Sequence, residues 1–205
     1  SDPEMKAAYL QAQQSFKYFW RELYWEYRRI IPALGLACVK VAFMQETNEP
    51  DNPLIEHMWI NQIGFDGKLI YGILINDPNE LTNIKNGDEV AVPITQVSDW
   101  LFAVQGKTYG GFTIQLMRSQ MSETERQNHD DAWGLDFGDF NNILVAYQQE
   151  TTPNNLIEHP MSINSKQNFE DFLTKNPDEI NVIDENGESF IHHEAIAGNL
   201  SLIEI

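Results

Sequence analysis

Apolar side chains recur at helical spacing between residues 6 and 31. Tyr9, Phe16, Phe19/Trp20, Leu23/Tyr24, Tyr27 and Ile30/Ile31 fall on one stripe. The pattern predicts a long amphipathic helix, ended by Pro32 and Gly35 through loss of an amide donor and a looser backbone. Tyr18 and Trp25, seven residues apart, lie off the stripe. The helix is therefore either buried on two sides or carries a self-association or partner face. From residue 36 the period shortens to two. Ala37, Val39, Val41 and Phe43 oppose Cys38, Lys40 and Met44, and residues 46–53 form a polar loop containing proline. Strands over 56–63 and 68–76 flank Phe65-Asp66-Gly67, a hairpin signal because Asp-Gly accepts positive φ cheaply. Asp77, Pro78 and Glu80 resemble the start of a short helix that Asn86-Gly87 would close. A strand over 88–94 follows. In 97–104, Trp100, Phe102 and Val104 alternate with Leu101 and Ala103, leading to a turn at Gln105-Gly106-Lys107 and a strand end at Gly110-Gly111.

Beyond Gly111, Phe112 and Leu116 suit a helix, although 112–117 taken alone also fits a strand. Ser122 to Glu125 is a capping box ahead of a polar helix ending near Trp133-Gly134. Residues 134–160 are glycine-, proline- and asparagine-rich loop, with Ile143–Tyr147 a short element of open type. Residues 165–175, with Ser165 as cap and Phe169, Phe172 and Leu173 on one face, read as another helix. The expected fold class is α+β: a mostly antiparallel sheet covered by the long aromatic-rich N-terminal helix, with a C-terminal helical segment. The expected divisions are a domain over 5–135, an acidic loop-rich linker over 136–161, and a helical segment over 162–205. Residues 1–4, ahead of Met5, read as an expression scar.

Charge changes this picture. The net charge is −18, and it is uneven: residues 1–120 carry 10 Lys/Arg against 14 Asp/Glu, residues 121–205 carry 3 against 17. Such a field repels nucleic acid and anionic lipid, so neither is expected as a partner. It serves solubility, or it attracts a basic protein. No stretch approaches 18 apolar residues, so no membrane span is expected. The single Cys38 lies in an apolar strand, which suggests a buried, inert thiol and a reducing compartment, most simply the cytoplasm.

Candidate chemistry is thin. Ser98-Asp99-Trp100 is no nucleophile elbow. Asp99 reads as a turn cap and Trp100 as core, and the alternative is a polar site where His57, Asp99 and Thr113 converge at one edge. His129-Asp130-Asp131 and His192-His193-Glu194 lack the two-histidine i, i+4 spacing of a helical zinc motif, so no metal is expected. The glycines match neither a dinucleotide fingerprint nor a phosphate loop, so no cofactor is expected, and no catalytic set is recognisable.

His57-Met58-Trp59-Ile60, Gly72 to Pro78, Gly87-Asp88, Ser98-Asp99-Trp100 and Gly110 to Thr113 occur in that order. Together they resemble the YegJ-like bacterial family, domain of unknown function 2314, over about residues 15–135. The resemblance implies a compact α+β domain and lends no mechanism. Asp184 to Asn199 is similar to the opening of an ankyrin repeat. Asp184, Gly187, His192, Ala195 and Gly198 match, Ser189 and Ile191 are conservative, and Phe190 and Glu194 depart. The run stops at Ile205, inside what would be the unit's second helix, so further repeats are expected in a longer protein. The expected function is a non-catalytic protein-protein interaction module that neutralises or regulates a basic partner. The other reading is an enzyme or ligand-binding domain at His57, Asp99 and Thr113. Tyr18, Trp25, Ile196, Leu200, Leu202 and Ile203 are the candidate partner face, through which the C-terminus is also expected to self-associate or to pack on the preceding domain.

Overall fold

The computed structural model describes residues 2–48 and 51–205. Glu49 and Pro50, inside the expected polar loop, and Ser1 lie outside them. The first helix, α1, spans Pro3–Glu26. Asp2 caps it by accepting the Glu4 amide at 2.9 Å, and Pro3 supplies a first residue needing no amide partner. Asp2, Pro3 and Glu4, read as part of a scar, thus cap and begin the helix.

Six strands follow: β1 (Leu34–Gln45), β2 (Leu54–Phe65), β3 (Leu69–Leu74), β4 (Glu89–Pro93), β5 (Val97–Val104) and β6 (Lys107–Gly110). All pair antiparallel in the order β4-β3-β2-β1-β5-β6. The fold is α+β, as expected. Only the 3-10 turn Ile94–Gln96 joins β4 to β5, which sits four places away in the sheet. A flat sheet would separate them by about 19 Å at ~4.8 Å per strand. The four steps from Pro93 to Val97 reach about 14 Å at most. The sheet must therefore curl, and α1 fills the curl.

The core follows from that geometry. Ile60, Val39 and Trp100 stand in one row across β2, β1 and β5, all with no exposure, beneath Ala12, Phe16 and Phe19 of α1. Ala8 and Ala12 let the helix come close, and the Trp100 indole N–H reaches the Ala12 carbonyl at 3.0 Å. The predicted stripe is buried at Phe16, Phe19 and Leu23 but not at its end. Tyr27 is 58% exposed, its hydroxyl donating to the Ile63 carbonyl, and Ile30 and Ile31 are 99% and 81% exposed. The periodicity runs on past Glu26, whereas the helix stops there and the chain turns into β1.

The short helix expected over 77–86 does not form. Glu56 accepts the amides of Asn79, Glu80 and Leu81, and Gln45 Oε1 those of Thr82 and Asn83. Amides held outward by side chains of β1 and β2 do not close helical turns. Beyond the sheet, α2 (Phe112–Ser119) and α3 (Glu123–Trp133) form, and α3 has the expected capping box at Ser122 and left-handed cap at Gly134. Residues 134–147 lie on the domain: Phe137 closes a second cluster with Cys38, Leu101 and Ile114, while Leu144 and Val145 pack on the main core. Burial pushes the Cys38 thiol pKa up, so the thiol stays protonated. The C-terminal segment comprises α4 (Pro160–Lys175), α5 (Phe190–Ala197) and α6 (Leu200–Ile203). Its first helix is capped by His159, whose Nδ1 accepts the Met161 amide, not by Ser165, which is internal. Among the described residues no helix is long and apolar enough to cross a membrane.

Candidate functional site

Of the three residues read as a polar site, the structure brings two together. β6 ends at Gly110, whose φ of +79° and crowding against Trp100 leave no room for a side chain: an added Cβ would sit 2.3 Å from the Trp100 carbonyl oxygen. That tight return sets the first turn of α2 on Asp99 of the neighbouring strand. One Asp99 oxygen accepts the amides of Trp100 and Phe112, both at 2.8 Å. The other accepts the Thr113 amide at 2.7 Å and the Thr113 hydroxyl at 2.5 Å. Asp99 thus caps α2 from a different strand, satisfying amides a helix start leaves unpaired. Burial pushes its pKa up, opposed by those four donors. His57 makes no hydrogen bond to this pair. It stacks on Tyr9 at 4.8 Å, its buried Nδ1 lacks a partner, and burial followed by the Lys40 charge lowers its pKa. Chemically, the Asp99–Thr113 pair is a helix anchor.

A second polar cluster was invisible in the sequence. Glu22, on α1, accepts from Arg29 at 2.7 Å and from His159 Nε2 at 2.8 Å. Because His159 Nδ1 accepts the Met161 amide, its proton lies on Nε2 and points at Glu22. Burial works to raise the Glu22 pKa, but His159 and Arg29 hold it below its ordinary value. One turn on, Glu194 of α5 is fully buried and takes Arg28, the Tyr24 hydroxyl and the Asn199 amide, while Asn199 accepts the Trp25 indole N–H at 3.0 Å. Burial followed by Glu194 pushes the Tyr24 hydroxyl pKa up.

This clasp decides where the expected partner face lies. Trp25 and Leu202 are buried within the chain, and Ile196 leans on Gly67 at the β2–β3 hairpin. Tyr18 and Ile203 are half-buried, and Leu200 is exposed. The segment packs on the preceding domain, so most of that face is internally covered.

An apolar surface does stay open elsewhere. Phe172 of α4 and Val182 and Ile183 of the following turn are 47%, 56% and 63% exposed. They line a cleft of about 240 Å³ with Phe169 and Phe190, rimmed by Glu179, Asp184 and Glu188. Residues 183–189 form a tight hairpin in which Asp184 accepts the amides of Asn186 and Glu188. Those amides lower the Asp184 pKa, with His193 adding to the effect. His193 sits between the two acids, 3.0 Å from Asp184 and 3.7 Å from Glu188. These three side chains are the described residues best placed to hold a cation, and as they stand they pair with one another.

The family model described as "Uncharacterized protein conserved in bacteria (DUF2314)" matches residues 2–137, the whole sheet with α1, α2 and α3. The chain belongs to that family. The matched stretch contains the Asp99 anchor and the curled sheet of this chain, and it ends at Phe137, ahead of the loop that leads to α4 at Pro160. A Neisseria meningitidis serogroup B protein named "Putative ankyrin repeat protein" is 50% identical over 204 residues, covering all of this chain and 80% of that protein. The Escherichia coli K12 "Uncharacterized protein YegJ" is 33% identical over 64 residues, 31% of this chain and 42% of that protein. No solved structure matches. Among these comparisons the ankyrin likeness is supported only by that relative's name. What the structure contains is one hairpin, the eight-residue α5 and the four-residue α6. Within it His192 Nδ1 accepts the Ser189 amide at 3.0 Å.

Proposed function

We propose that this DUF2314 protein is a non-catalytic interaction module whose C-terminal groove receives a basic, amphipathic segment of a partner protein. The observation that carries the reading is the juxtaposition at α4 and the 183–189 hairpin: Phe172, Val182 and Ile183 lie open inside a rim of Glu179, Asp184 and Glu188. Open apolar side chains supply contact area, and the acidic rim selects the sign of the partner. The acidic half steers the encounter: Asp171, Asp178, Glu179 and Glu185 are all exposed around the groove. The relative's name is consistent with this reading, because ankyrin units commonly present protein-binding surfaces. The Asp99 carboxylate, committed to four internal donors, supports a structural rather than a chemical role for the other candidate site.

The test is to capture partners from the native cells with the full chain and with Ile183→Glu, an exposed position whose change leaves the fold intact. Proteins captured by the parent and lost in the variant should be basic. Their association should slow steeply as salt rises, since exposed charges are screened beyond about 8 Å at 0.15 M. Identical captured sets, or an on-rate indifferent to salt, would overturn the proposal and leave solubility as the account of the acidity.

A further inference from the structure

The most acidic protein surfaces make an unpaired buried cation conspicuous, and α1 carries one. Arg21 is only 5% exposed. Its guanidinium donates from a terminal nitrogen to the Leu156 carbonyl at 2.8 Å, and its buried Nε has no partner. Among the described residues no carboxylate pairs with it. Glu22, its chain neighbour, is taken by Arg29 and His159, and Glu158 is taken by Ser162 and Ser201. Burial lowers the guanidinium pKa by more than the nearby Glu22 and Glu158 carboxylates raise it. A second cation stands beside it. Lys17, one helical turn earlier, and Arg21 both lie 5.1 Å from the Tyr18 ring centre, so like charges occupy adjacent i, i+4 positions. Both line a cleft of about 730 Å³ between α1, the 153–157 loop and the end of α5. Its other walls include Leu156, the 73%-exposed Ile157 and Ile196.

We infer that this cleft is a binding site for a small amphipathic oxyanion, its carboxylate or phosphate held by Arg21 and Lys17 and its apolar body laid against Tyr18, Ile157 and Ile196. The volume is that of a small-molecule site, and two convergent cations on an apolar wall are the pattern such a site needs. A planar guanidinium with free N–H groups offers the two-pronged donor set that carboxylates and phosphates accept. In a protein of net charge −18 the pair is retained against the overall field, which favours an anion bound locally over long-range attraction. The cleft and the partner groove are lined by different residues, and a negative result for either leaves the other standing.

The test uses the full chain with hexanoate, phenyl phosphate and inorganic phosphate, measured by titration calorimetry and thermal shift against sodium chloride at equal ionic strength. Hexanoate or phenyl phosphate should bind saturably and raise the melting temperature, inorganic phosphate more weakly because it lacks an apolar body. The tighter of the first two names the headgroup. Arg21→Gln should weaken binding at least about tenfold by removing the charged fork. Lys17→Glu, at an exposed position, sets a carboxylate one turn before Arg21, where it should pair with the guanidinium, raise the melting temperature without ligand and abolish the response. Should Arg21→Gln fail to fold, Lys17→Glu decides alone. No saturable binding of either organic anion, or binding unchanged in Lys17→Glu, overturns the site.

Discussion

Replacing Asp99 with asparagine tests whether its carboxylate is a helix anchor or a reactive group. The carboxylate offers two oxygens to four donors, three of them backbone amides, at 2.5–2.8 Å and with no exposure. Asparagine keeps one oxygen and turns the other into an NH₂ group. Whichever way the amide is flipped, that NH₂ faces at least one backbone N–H, donor against donor. Hydrogen bonds to a charged acceptor contribute about 1.5–3 kcal/mol, and a buried amide left unpaired costs about 1–3 kcal/mol. Against this, the variant buries no charge, which offsets part of the loss, since burial already disfavours the ionised form. A net destabilisation of about 2–4 kcal/mol follows, and at ~2–4 °C per kcal/mol for a chain of this size the midpoint should fall by about 4–16 °C. Thermal unfolding followed by circular dichroism, with urea midpoints at pH 7, measures it. Thr113→Val removes a single donor and should cost about 1 kcal/mol, less than additively with Asp99→Asn because the two share one interaction. A midpoint within a degree of the parent for Asp99→Asn would refute the anchor.

Trp100→Ala, at a position with no exposure, should cost about 3–5 kcal/mol, read as a lowered urea midpoint. Glu22 has a depressed folded pKa, so its stabilisation is complete above its unfolded value of about 4.3 and is lost as pH falls through the lower folded value. Glu22→Gln should therefore be less stable than the parent at pH 7 and lose less between pH 5 and 3; parallel curves would remove the claim. His57 has a lowered pKa, so the unfolded chain protonates first and stability should fall as pH drops below about 6.5. His57→Gln should lack that step in urea titrations across pH 7 to 5.

What could be read in the sequence was local. Period-two runs place β1, β3 and β5 to within a few residues, and the Ser122 box and Gly134 mark both ends of α3 because each acts within one turn of itself. Asp99 was legible as a cap but not as the cap of a helix thirteen residues on, because only the return at Gly110 brings Phe112 beneath it. The loop over 77–86 shows the converse. Its Asp-Pro start satisfies helix rules, yet Glu56 and Gln45, more than twenty residues earlier, claim the amides first. The grouping of His57, Asp99 and Thr113 shows the same limit: it rested on residue type, and the fold gives only Asp99 and Thr113 a common neighbourhood.

The C-terminal segment carries this furthest. Arg21 and Glu22 on α1, and Arg28 just past its end, lie off the buried apolar stripe and would be solvated on that helix taken alone. The chain after residue 156 returns to that face and gives two of the charges partners, Glu22 accepting a hydrogen bond from His159 and Arg28 pairing with Glu194. Arg21 it leaves with a carbonyl. A docking surface made of charged groups stabilises little over an apolar one, since desolvation cancels much of the attraction. It does fix register, because a segment that slid by one turn would strand Glu194 and His159 without partners. α5 is thereby held in one position, with Phe190 and His193 on the acidic groove and Ala195 to Gly198 on the cationic cleft. One rigid helix then forms a wall of both surfaces. Coupling between the two occupants would require α5 to shift, and its size would be set by the difference in contacts that each occupant makes before and after that shift.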